Sequence, residues 1–198
     1  MRTFRSALFA LAAALPLAAL AHTGVDGGAH HGFLAGLLHP LTGADHLAAM
    51  VAVGLWSALA ARRAWPDLLW APLGFATMLV AGGVLGLAGV EAPATEPMIA
   101  ASLLVIGLLV LTRLRVPALA AAAIVGVFAV FHGVAHGQEL ASDAQALPTL
   151  AGMLCATVLL HAAGIAAGWS LRRAHAWVPR LAGAAVAVFG TVLLTQFA

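Results

Sequence analysis

Long apolar runs separated by short polar hinges constrain this chain more than any other feature. Leu, Ala, Val and Gly fill stretches at about residues 33–61, 67–90, 98–112, 117–137, 147–171 and 179–197. Most reach the roughly 20 residues that a helix needs to cross a hydrocarbon core. Only 8% of the residues are charged, against roughly 25% in a soluble domain, so they cannot cover a water-facing surface. The fold class this predicts is all-α and integral to a membrane, with six transmembrane helices, because a helix satisfies its own backbone in lipid.

The ends of the runs carry the topology. The nine cationic residues are all Arg, and seven of them cluster at 62–63, 113–115 and 172–180. With the mature N-terminus outside, these clusters all fall in the cytoplasm. Asp26, Glu91, Glu96, Glu139 and Asp143 then fall outside, and the C-terminus does too. This is the positive-inside bias, so the Arg clusters are a topology signal and not a nucleic-acid footprint. Residues 1–21 read as a cleaved signal peptide. Arg2 and Arg5 are its positive start, residues 8–20 its apolar core and Ala19-Leu20-Ala21 its small-x-small cleavage site. That core is short for an uncleaved span, at about 15 residues against about 20. Residues 22–198 then form a single six-helix domain. Trp56, Trp65, Trp70, Trp169 and Trp177 fall near the inner span ends, as an aromatic belt would. Glycines four apart, such as Gly82/Gly86 and Gly164/Gly168, fit close helix packing.

Two polar islands interrupt the apolar background. The first, His39-Pro40-Leu41-Thr42-Gly43-Ala44-Asp45-His46, lies inside a run too long for one straight helix. Pro40 and Gly43 predict a break around residues 39–43, with a short re-entrant or tilted piece before it and a helix over 45–61 after it. Such a break is tolerated in lipid only where it is buried in protein or lines a cavity. If the break is mild, His39 and His46 face the same way. In the second island, His132, His136 and Glu139 share one helix face near the outer end of the fourth span. Two imidazoles and a carboxylate on one face make a divalent-metal half-site, and Gly133 and Gly137 thin the helix there.

Both islands lie toward the outer side, so they can share one site. Imidazole and carboxylate donors without thiolate suit Ni, Co, Zn or Cu(II) better than Mg or Ca. Asp45 is either a ligand or the carboxylate that orients a ligating imidazole. His161, mid-way along the fifth span, is either a deeper stepping site or a packing residue. Met50, four residues after His46, either lines the same face or, as one of five Met in so apolar a chain, is a packing residue. His22, at the mature N-terminus, pairs a free amine with an imidazole, and His30 and His31 add two more nitrogens. Cys155 is the only cysteine, which excludes an intramolecular disulfide and a Cys-rich metal site.

The patterns His-x5-Asp-His (His39 to His46) and Phe-His-Gly-x-Ala-His-Gly-x-Glu (Phe131 to Glu139) resemble the two signatures of the HupE/UreJ family. The resemblance extends over the signal peptide, the length and the six spans. That family is regarded as secondary nickel or cobalt permeases serving hydrogenase or urease. The resemblance therefore implies transport of Ni²⁺, or Co²⁺, from periplasm to cytoplasm, with His39, Asp45, His46, His132, His136 and Glu139 mattering for transport. It also implies a bacterial inner-membrane location with no enzymatic activity and no prosthetic group. The partners implied are the divalent metal as substrate and the lipid bilayer, with no nucleic acid and a homo-oligomer left open. The rival reading is a membrane-embedded metalloenzyme with a His/carboxylate zinc or iron site. Against it, no Ser, Cys or Lys nucleophile adjoins the islands.

Overall fold

The structure is a computed structural model that describes residues 32–61 and 65–197. The expected signal peptide, His22, His30, His31 and Arg62-Arg63 lie outside the described residues. Within them the helices are α1 (Phe33–Thr42), α2 (Ala44–Ala60), α3 (Trp70–Leu87), α4 (Thr95–Thr112), α5 (Ala118–Glu139), α6 (Ala146–Leu171) and α7 (Trp177–Leu194), followed by a 3-10 turn at Thr195–Phe197. No strand occurs among the described residues. Helices α3 to α7 are each long and apolar enough to cross a membrane, and α1 with α2 passes the same test as a pair, sharply bent at the break between them.

The expected break, with a short piece before it and a helix after it, is present. It lies at Gly43 alone, whose backbone is extended (φ −90°, ψ 113°), while Pro40 stays inside α1. Just beyond it the Thr42 hydroxyl donates to the His39 carbonyl at 2.8 Å. The turn is also far from mild, since α1 and α2 meet at 87°. Helix α1 is thus a short piece folded across the end of the bundle. Its Gly32 amide donates to Thr149 Oγ1 at 3.0 Å, which fastens it to the start of α6.

Glycine sets the spacing of the bundle. The helices pack in three close pairs, α3 with α5, α4 with α7, and α2 with α6, and in each a glycine meets the partner's backbone. A Cβ on Gly82 or Gly86 would lie 2.2 Å from the Val130 carbonyl oxygen or 2.4 Å from that of Val134. Gly133 and Gly137 face back across the same pair, each 2.2 Å from a carbonyl of α3 by the same measure. Their thinness thus admits a neighbouring backbone. Gly54 and Gly164 interlock α2 with α6, and Gly107 and Gly183 interlock α4 with α7. In lipid there is no hydrophobic drive between helices, so this contact supplies the association. Gly133→Ala is therefore expected to destabilise the folded protein by about 1–3 kcal/mol, the usual range for overpacking, read as a lower melting temperature in detergent.

Apolar side chains lie on both sides of this scaffold. Met50, Val53, Trp56, Phe75, Leu79, Ile106 and Val110 fill the interior, while Leu73, Leu119, Val127, Leu159, Leu181 and Val188 point outward. An exposed apolar rim is what lipid requires of a bundle. Four of the five tryptophans lie at the exposed belt positions, but Trp56 is buried and its Nε1 donates to the Leu114 carbonyl at 3.0 Å. Buried indole needs a partner for its N–H, and the carbonyl just past the end of α4 offers one. Arg172 likewise does more than mark topology. Its guanidinium donates to the carbonyls of Ala58 and Ala61, closing the end of α2.

Candidate metal centre

The sharp turn at Gly43 brings the two islands together. It lays the end of α1 over the start of α2, so His39 and His46 converge with ring centroids 6.3 Å apart. Helix α5 brings His132 and His136 against them. His46 lies 4.9 Å from His132 and 4.7 Å from His136, and His39 lies 4.9 Å from His136, centroid to centroid. Four imidazoles from three helices thus form one cluster. His132, His136 and His46 are buried and His39 is half-buried.

The carboxylates take different positions. Glu139 is the last residue of α5, so the helix carries His132, His136 and Glu139 on one face. Its Oε2 is 3.5 Å from His136 Nδ1, and its side chain is about half exposed (48%). Donor atoms of His39, His136 and Glu139 all lie within 4.8 Å of one another, close enough for one cation to bridge after small adjustments. Asp45 instead holds His46. Its Oδ1 is 3.0 Å from His46 Nδ1 and accepts the His46 backbone N–H at 2.8 Å. An ionised carboxylate only accepts, so the His46 proton sits on Nδ1 and the Nε2 lone pair is available as a ligand. Between the two roles open for Asp45, this geometry fits the orienting one.

A second ring is set in the same way by a residue that sequence reasoning missed. The Ser102 hydroxyl donates to the Ile99 carbonyl at 2.6 Å, so its oxygen must accept from His132 Nε2 at 3.1 Å. His132 then carries its proton on Nε2 and a bare lone pair on Nδ1. That Nδ1 is buried without a hydrogen-bond partner. An orphaned acceptor in a dry interior is costly, and a bound cation would satisfy it. Ser102 had no distinguishing signal, because a hydroxyl in an apolar helix ordinarily bonds back to its own turn.

Glu91 and Glu96 were likewise missed as site residues. They line a cavity of about 810 Å³ together with Gln138 and Glu139. Three carboxylates line it, which raises the local cation concentration, and Glu139 is the one that also reaches the histidine cluster. At the opposite, arginine end lies a cavity of about 320 Å³ lined by Trp56, Asp67, Ala71 and Arg115. His161 lies between these ends. It is buried on α6, outside the four-ring cluster, and its ring touches Phe75 at 5.2 Å. The Phe75 ring also touches His132, at 5.7 Å.

The chain is similar to known proteins over nearly its whole length. Protein HupE of Rhizobium leguminosarum bv. viciae is 44% identical over 186 residues, covering 92% of this chain and 93% of that protein. No solved structure matches. The family model described as HupE / UreJ protein matches residues 9–193, and the chain belongs to the HupE/UreJ family.

Proposed function

We propose that this chain is a secondary permease that carries Ni²⁺, or Co²⁺, from the periplasm to the cytoplasm across the bacterial inner membrane, for the maturation of a metalloenzyme. The family is a metal-transport family associated with hydrogenase and urease, and it points to a transporter-type protein rather than an enzyme. The observation that carries the reading is the convergence of His39, His46, His132 and His136 with Glu139 at the end of one apolar bundle. Polar groups this dense in lipid mark a pathway by default. The ion enters the acidic cavity, exchanges water for Glu139, His39 and His136, and is held deeper by His46 and His132. Asp45 positions His46. The path continues past His161 toward the arginine end, and His22 gathers the ion at the mature N-terminus.

Imidazole and carboxylate donors bind a late transition metal well enough to strip its water, yet without thiolate they let it leave. Charge alone supplies a drive. Inward movement gains about 2.3 kcal/mol per elementary charge for each 100 mV, inside negative, and the ion carries two charges.

The test is metal flux into proteoliposomes, compared across nickel, cobalt, zinc and copper. The expected result is saturable uptake of nickel or cobalt well above that of empty vesicles. Uptake no faster than in empty vesicles, together with one tightly held, non-exchanging metal per chain, would overturn the permease and favour the metalloenzyme.

A further inference from the structure

Below the four-ring cluster, α2 and α6 run side by side in one register. Met50 lies beside Thr157, whose Oγ1 is 3.3 Å from the Met50 sulfur. One turn further, Gly54 is pressed against the backbone carbonyl of His161. Met50 and His161 therefore share one interface within about one helical turn, roughly 5.4 Å of rise. Both are sealed from outside, with exposures of 1% and 2%. His161 Nε2 is buried without a hydrogen-bond partner. The Thr157 hydroxyl has one proton for the Met153 carbonyl at 2.9 Å and the Met50 sulfur at 3.3 Å, so at least one of the two sulfur lone pairs stays open to an ion.

We propose that His161 Nε2 and Met50 Sδ form a second, deeper binding position for the transported metal. This position rests on the permease reading. Met50 is one turn after His46 on the same face of α2, so an ion released by His46 meets the thioether next. The Phe75 ring touches both His132 and His161 and divides the upper position from the lower. Ala71, one turn from Phe75 on α3, lines the cavity at the arginine end, so the lower position is the last before that opening. An imidazole and a thioether together favour a borderline or soft cation, such as Ni²⁺, Co²⁺ or Cu⁺, and discriminate against Mg²⁺ and Ca²⁺. Two positions in series let an arriving ion help to displace the one ahead of it.

Equilibrium dialysis of the purified full-length chain against radiolabelled Ni²⁺ tests this. In a His22→Ala background, which removes the imidazole at the N-terminal position, the parent chain is expected to bind about two ions, matching one imidazole-centred site above and one below. Met50→Leu and His161→Asn are each expected to halve that number, as is His136→Ala in the upper site. Met50→Leu keeps the side-chain volume, so it decides the matter if His161→Asn fails to fold. Parent-like binding by Met50→Leu and His161→Asn overturns the deep position. So does a parent that binds one ion and loses it in His136→Ala, which leaves the permease reading intact. One ion that survives His136→Ala and is lost in His161→Asn supports the deep position and overturns the upper one instead. A parent that binds no nickel overturns both.

Discussion

Replacing His136 with Ala is expected to lower nickel uptake at low external nickel by about 100-fold, the upper end of what loss of a group near a metal costs in affinity. His136 joins the ring cluster to the Glu139 carboxylate. It touches His39 and His46 and approaches Glu139, so no neighbour can take over its donor position. The deficit is one of affinity, and a large excess of nickel should restore the nickel-dependent enzyme activity of cells carrying the variant. His175→Ala is the internal control. That imidazole is exposed at the arginine end, and its loss should leave uptake at the parent level. His132→Ala is a poorer test, because it also removes the donor that the buried Ser102 oxygen accepts from. Parent-like uptake of radiolabelled nickel by a folded His136→Ala protein would remove His136 from the path.

The helices were legible because lipid leaves a chain few choices. Apolar runs of span length, ended by Arg or by acidic turns, gave α3 to α7 to within a few residues. The break before α2 and the short piece ahead of it were legible, but the angle between them was not. Pro40 and Gly43 are both breakers, and only the packing of Gly36 and Gly32 against Thr149 decides which one turns the chain. The alignment of His39 with His46 was foreseen only for a mild break that keeps helical phase. It arises instead from a right-angle turn that brings α1 back across the cluster. The periodicity of His132, His136 and Glu139 was readable because one unbroken helix carries all three. The supporting groups were not. Ser102, Glu91 and Glu96 act through contacts with other helices or loops, and no spacing within one segment encodes such contacts. Trp56 was read as belt because its place near a span end is indistinguishable in sequence from that of Trp70.

The second large effect is expected at Asp45, where the two candidate roles separate cleanly. As an orienting group, Asp45 fixes the His46 proton on Nδ1 through its 3.0 Å contact. Asn at this position keeps the shape but can turn its amide toward the ring and donate. The ring would then carry its proton on Nε2, where the metal must bind, and would cease to be a ligand in that state. Nickel affinity should fall by about 10–100-fold, the range seen when a partner of a metal-bound histidine is lost. Asp45 also lies in the first turn of α2, where a carboxylate stabilises the helix dipole by about 0.3–1 kcal/mol. That contribution is small and falls on the melting temperature, so affinity and stability can be read apart by dialysis and by thermal unfolding of the same sample. A direct ligand behaves differently. If Asp45 bound the ion itself, Asp45→Asn would remove a charged donor and weaken binding at every nickel-to-proton ratio. If it only sets the tautomer, raising the pH through the range where imidazole is neutral leaves the defect in place, while a His46→Ala change made on top of Asp45→Asn adds little further loss. The double variant is therefore the deciding measurement, and a fully additive loss would return Asp45 to the ligand set.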